Sequence, residues 1–148
     1  MRFVRGSTPC AGLLWHDGQP VTADDCIASI KRWGAKDGMG QKLMSFVDTM
    51  TAKDAKTIEI KLKEPTGLVL GALGKPSSNV PFMMPKRVAE TDPNKQIEDM
   101  TGSGPFVFKR DEWKPGDKTV YVKNPKSYHF DNAAVDREPY MAPGLVTP

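Results

Sequence analysis

Cysteine and histidine are the scarcest reactive side chains here. The chain has two of each: Cys10 and Cys26, His16 and His129. No C-x-x-C pair occurs and no two histidines stand at helical spacing, so the usual ligand patterns of a zinc site are missing. There is no G-x-S-x-G elbow, which leaves nucleophilic catalysis poorly supported. No metal and no cofactor is expected. No apolar run approaches the ~20 residues that a membrane-spanning helix needs. Met1 to Pro9 holds two arginines but no apolar stretch of the length a secretory signal requires, and no signal is expected there. One-sided charge is lacking too. Residues 1–74 carry ten basic and eight acidic side chains, and residues 75–148 carry eleven and ten. Nucleic-acid binders show a basic patch or stripe, and no linear basic run exists; only a patch assembled in three dimensions stays open.

What is present fits one globular domain. A length of 148 residues lies within the usual span of a single domain and is enough to bury a core. Thirteen prolines and thirteen glycines imply many turns. There is no internal repeat and no low-complexity segment.

The most informative stretch runs from Trp15 to Trp33. Asp17-Gly18 is a turn dipeptide. Thr22 can cap a helix, with Asp25 three residues on in the arrangement of a capping box. Ala23, Cys26, Ile27, Ile30 and Trp33 form one apolar stripe at helical spacing. Asp24 and Asp25 at the start and Lys31 and Arg32 at the end suit the helix dipole. The spacing predicts a helix from about Ala23 to Trp33, stopped by Gly34. Cys26 on this stripe reads as a small buried hydrophobe; a Cys10–Cys26 disulfide is the alternative in an oxidising compartment.

Before this helix, Arg2 to Arg5 is a weak strand candidate broken by Ser7-Thr8-Pro9, and Leu13-Leu14-Trp15 a short strand. After it, Gly34 to Gly40 reads as a loop and Gln41 to Phe46 as a short helix, with Leu43, Met44 and Val47 available for burial. Val47 to Lys53 and Thr57 to Leu62 read as two strands. In the second, Ile58, Ile60 and Leu62 alternate with Glu59, Lys61 and Lys63, a half-buried strand with one wet face. Thr66 to Gly74 reads as a small buried helix whose Gly67 and Gly71 admit close approach of other backbone. Pro85 suits the start of a helix to about Glu90. Gln96 to Met100 is a candidate for one short turn. Pro105 to Phe108, apolar on both faces, reads as a central strand. Trp113 to Asp117 reverses the chain, Thr119 to Lys123 pairs back, and Asn124-Pro125 closes the turn. Strands and helices mix without strict alternation, so the fold class expected is α/β (α+β), a mixed β-sheet with flanking helices.

Two loops are candidate ligand contacts. Pro76-Ser77-Ser78-Asn79 is irregular, and its Ser and Asn offer uncharged donors and acceptors suited to peptide groups. A solvated surface loop is the other reading. Gly102-Ser103-Gly104 precedes a strand, so it is not a dinucleotide loop. It is either a tight turn or a stretch of backbone amides lining a cleft. His16 beside Asp17 could serve as a base oriented by a carboxylate, or simply hydrogen-bond locally within its turn.

Three stretches also carry a resemblance. His16-Asp17-Gly18-x-Pro20-Val21-Thr22-Ala23-Asp24-Asp25, then Gly102-Ser103-Gly104-Pro105-Phe106-Val107-Phe108, then Trp113-Lys114-Pro115-Gly116-Asp117 with Val120 and Asn124-Pro125 occur in the order found in solute-binding proteins of peptide ABC transporters. This is solute-binding protein family 5, the dipeptide, oligopeptide and nickel-binding group. The match spans roughly Leu13 to Tyr128. The resemblance implies a periplasmic chain forming part of the first lobe, with residues 1–128 the partial lobe; the polar stretch 129–148, with Pro139, Pro143 and Pro148, departs from the family and reads as an irregular or disordered tail. The resemblance also implies that Pro76–Asn79 lies near a cleft wall, and that a membrane permease is the partner of the intact system. The family's charged anchors for peptide termini lie mainly in the other lobe, so peptide or small-solute binding by this chain alone is expected to be weak or absent. Peptide, glutathione-like, nickel-chelate and haem carriers share the scaffold. The rival reading is a stand-alone structural or interaction domain, or the relic of a truncated gene, with no ligand of its own.

Overall fold

The computed structural model describes residues 5–7, 12–76 and 79–127. The chain divides into two compact units, one within Met1–Ala11 and Val21–Asp99, the other within Gly12–Pro20 and Met100–Pro148.

In the first unit, helix α1 spans Ala23–Lys36. Its start is the predicted one. Thr22 caps it, and the Asp25 carboxylate accepts from the Thr22 amide at 2.9 Å. Such a cap is worth about 1 kcal/mol. The end differs from expectation. Gly34 does not stop the helix; Asp37 does, in an extended conformation, donating its amide to the Trp33 carbonyl at 2.9 Å. The expected Gly34–Gly40 loop is absent, because Asp37 also begins the next helix, α2, Gly38–Phe46. Its Oδ1 accepts from the Met39 and Gly40 amides, each at 3.0 Å.

The reason for the glycines lies in this corner. A Cβ on Gly40 would stand 2.8 Å from the Gly34 Cα and 3.0 Å from the Trp33 ring. One on Gly34 would meet the Met44 side chain at 2.6 Å. Close approach therefore occurs here. At Gly67 and Gly71, where it was expected, an added Cβ meets nothing within 4 Å. The helix there, α3 at Leu68–Leu73, buries Val69 and Ala72 and leaves Leu70 60% exposed.

Strands β2 (Val47–Asp54) and β3 (Thr57–Leu62) pair antiparallel, and β1 (Arg5–Ser7) pairs with the other edge of β3, giving the order β1-β3-β2. Ser7, expected as a breaker, lies in β1; Arg2 to Val4 fall outside the described residues. The predicted alternation holds: Ile58 and Ile60 are buried and Leu62 packs on the core. That core joins Ala23, Ile27, Ile30 and Trp33 of α1 to Leu43, Val47, Met50 and the β3 residues. Each buried aliphatic side chain contributes about 1.5–3 kcal/mol. Helix α4, Lys86–Ala89, follows Pro85 as expected. Gln96 to Met100 makes no turn; the Lys95 carbonyl accepts from Arg32, and Asp99 pairs with Arg87 at 3.3 Å.

In the second unit, Leu14 and Pro20 form a single bridge around the Asp17-Gly18 turn, in place of a full strand. Gly18 takes φ +85°, which a side chain would resist. Strands β4 (Phe106–Phe108) and β5 (Tyr121–Lys123) form an antiparallel ribbon. β4 is not central: among the described residues it has one partner strand, and Phe106 is 44% exposed. Phe108 packs against Trp113 and Tyr121 with ring centroids 6.1 and 5.6 Å away. The tail expected over 129–148 lies outside the described residues. The helix-and-sheet α/β (α+β) class is what the chain adopts, with all described strand pairs antiparallel.

Candidate functional site

The candidate residues fall in both units. Pro76 and Asn79 belong to the first, and Gly102, Ser103 and Gly104 to the second. Ser77 and Ser78 lie outside the described residues, as do Cys10, one half of the expected disulfide, and His129.

Among the described residues from Lys75 to Lys86 in the first unit, regular hydrogen bonding within the segment is sparse. Side chains of α1 and of the α1–α2 corner hydrogen-bond to the segment. Lys75 donates to Asp37 Oδ2 at 2.7 Å, and its ammonium lies 5.6 Å from the centre of the Trp33 ring. The Trp33 indole donates to the Asn79 carbonyl at 2.9 Å. Farther on, the buried Ser29 hydroxyl accepts the Met84 amide at 3.0 Å and lies 2.7 Å from the Asp25 carbonyl. Asp25 Oδ1 accepts the Lys86 amide at 2.7 Å. The segment is thus fixed at both ends, while Pro76, Asn79, Phe82 and Met83 remain exposed.

Lys75 is the main reason the Asp37 carboxyl lies below the ordinary carboxylate range, with the Gly40 and Met39 amides adding to it. Burial raises the Cys26 thiol above its usual value, and the Asp25 carboxylate reinforces that. A raised thiol is a poor nucleophile. Cys26 is half-buried against the core.

The second unit brings the three resemblance-bearing stretches to one point. His16 Nδ1 accepts the Gly102 amide at 3.2 Å, and His16 Nε2 lies 3.0 Å from the Gly104 carbonyl. The His16 amide donates to the Gly102 carbonyl at 2.8 Å. The Asn124 side-chain amide donates to the same Gly104 carbonyl at 3.1 Å, and its backbone amide to Pro105 at 2.8 Å. His16 is therefore not bonded locally, as expected, but to a loop 86 to 88 residues away. Both ring nitrogens are occupied by backbone, and Asp17 Oδ1 accepts the Gln19 amide at 3.0 Å. That leaves no oriented base.

An open groove of about 600 Å³ in the first unit has Ile27 and Met50 in its floor and Asp24, Lys31, Lys86 and Glu90 at its rim. Its lining carries charges of both signs. Among the described residues no group of three or more His, Cys, Asp or Glu could hold a metal, and no helix is long and apolar enough to cross a membrane.

The profile of bacterial extracellular solute-binding proteins, family 5 Middle, matches residues 11–140. The chain belongs to solute-binding protein family 5. Among family 5 relatives, a probable peptide ABC transporter periplasmic-binding protein of Sinorhizobium fredii is 44% identical over 115 residues, 78% of this chain and 21% of that protein. The dipeptide-binding protein DppE of Bacillus subtilis is 28% identical over 140 residues, 83% of this chain and 25% of that one. The chain thus spans a fifth to a quarter of the length of these relatives. Campylobacter jejuni NikZ, solved in complex with Ni(L-His), superposes with a TM-score of 0.64 at 24% identity, over 84% of this chain and 25% of that one. At that identity the likeness speaks for the fold. Family 5 is a family of extracellular solute-binding proteins.

Sequence reasoning found the loops but missed what holds them. Ser29 carried one usable signal, a polar residue inside an apolar helix face, where its hydroxyl must find a partner. Asn124 was read only as a turn residue. Nothing local announced that its amide reaches Gly104.

Proposed function

We propose that this chain forms part of the first lobe of a periplasmic solute-binding protein serving a peptide-type ABC transporter. The intact protein captures peptides or similar solutes and presents them to a membrane permease. The single observation that carries this reading is the 44% identity to a relative described as a peptide ABC transporter periplasmic-binding protein. The geometry is compatible with it. Irregular segments are anchored by side chains of helices and turns, the usual way a scaffold presents recognition groups, and the groove of the first unit is open and mixed in charge.

In this reading residues 1–128 supply a supporting wall, with Pro76 to Asn79 the candidate solute contact of the first unit and Gly102 to Gly104 that of the second. The groups that grip the ligand's charged ends lie in polypeptide outside this chain. The test is a thermal-shift screen of the full-length protein that carries this sequence, using dipeptides, oligopeptides and non-peptide solutes. A ligand that binds only the folded state raises the melting temperature by mass action. Peptides are expected to raise it. A screen in which only non-peptide solutes do so overturns the peptide class.

A further inference from the structure

We propose that His16 positions the Gly102–Gly104 loop as a proton-sensitive latch: the neutral imidazole holds both the Gly102 amide and the Gly104 carbonyl, and the imidazolium gives up this side-chain hold. The argument begins with what each partner can do. The Gly102 N–H can only donate, so Nδ1 must offer a lone pair to it at 3.2 Å. The Gly104 carbonyl can only accept, so Nε2, 3.0 Å away, must carry the hydrogen. One tautomer satisfies both contacts, and it is neutral. A second proton can only go to Nδ1, where it sets one N–H against another and strips the Gly102 amide of its acceptor.

The ring is the part that can move in response. The backbone bond from His16 to Gly102, at 2.8 Å, pins the two segments together. A Cβ on Gly102 would lie 3.3 Å from the ring's Cε1, so the imidazole sits directly against this glycine. Swinging the ring away from Gly102 also takes Nε2 off Gly104. The Gly104 carbonyl then keeps the Asn124 amide and the Gly102 carbonyl keeps the His16 amide, so the side-chain half of the hold is what is lost.

Among the described residues, the segments that pack on the ring carry few charges. The loop from Thr101 to Gly104 contains no ionisable group. On the ring's own turn stands Asp17, whose Oδ1 accepts the Gln19 amide. On the Asn124–Ser127 turn stands Lys126, whose ammonium lies 4.0 Å from where a Cβ on Gly18 would be. The consequence for solute capture rests on the function proposed above, which makes this loop a candidate solute contact. The latch itself belongs to this unit alone.

Nuclear magnetic resonance on the 148-residue chain tests it without any ligand. Near neutral pH, Nδ1 is expected to show the shift of an unprotonated acceptor and Nε2 that of a protonated nitrogen. On acidification the Gly102 amide resonance should move with the same midpoint as the His16 Cε1–H. Its exchange protection, corrected for the intrinsic rate, should fall about tenfold, as losing one hydrogen bond implies. His16→Gln offers an oxygen and an amide N–H but cannot titrate, so the pH response of Gly102 should vanish in this range. A hydrogen on Nδ1 at neutral pH overturns the proposal. So does a Gly102 amide that ignores the imidazole titration, or one that still responds in His16→Gln. Failure of the peptide screen leaves each of these outcomes unchanged.

Discussion

Lys75 places its ammonium 2.7 Å from Asp37 Oδ2, tying the first residue of an irregular segment to the corner between two helices. Asp37 ends α1 with its backbone, begins α2 with one carboxylate oxygen, and holds Lys75 with the other. The pair has a definite pH signature. The folded-state pKa of Asp37 is lowered, first by Lys75 and then by the α2 amides. Its contribution is complete above the ordinary carboxylate value, about 4, and drains away as pH falls from there through the folded-state value. Asp37→Asn keeps a good capping side chain but loses the charge. Melting temperature measured across the acid range should show the variant below the parent at neutral pH, with the gap closing as the medium becomes more acidic.

Two glycine-to-alanine changes should go opposite ways. Gly40→Ala forces a Cβ to 2.8 Å from the Gly34 backbone, so it should destabilise despite alanine's better helix propensity. Gly71→Ala in α3 meets nothing within 4 Å. It should stabilise by about 0.5–1 kcal/mol. Denaturant unfolding of both variants checks the sign of each.

Ser29→Ala removes the hydroxyl that accepts the Met84 amide inside the protein. Leaving a buried donor unpaired costs about 1–3 kcal/mol. Loss of exchange protection should centre on Met84, where the loop is sewn to α1. A uniform loss across α1 would contradict that local role.

Thr22→Ala should cost about 1 kcal/mol through loss of the helix cap. Combining it with Asp25→Ala should cost less than the sum, because the two side chains complete one capping box. The double-mutant cycle reads that coupling.

The signals that were legible in the sequence were local ones. The start of α1 was readable because Thr22 and Asp25 satisfy each other within one turn. β3 was readable because Ile58 and Ile60 alternate with charged residues. The end of α1 was not, because Gly34 looks like a stop when its neighbours are unknown. Only contact with Met44 and Gly40 shows that it is a packing glycine. The same blindness misplaced close approach at Gly67 and Gly71. At the candidate site, the loops 76–79 and 102–104 could be picked out by composition and position. The groups that fix them could not. Trp33 reaches Asn79 across 46 residues, and His16 reaches Gly104 across 88. Hydrogen bonds of that span leave no periodicity behind.

The central claim is that this chain supplies a supporting wall and not the grip. Isothermal titration calorimetry of the 148-residue chain against dipeptides and oligopeptides addresses it most directly. Weak heats or none are expected if, as proposed, the groups that pair with a ligand's charged ends lie outside this chain. Submicromolar binding by the chain alone would contradict it.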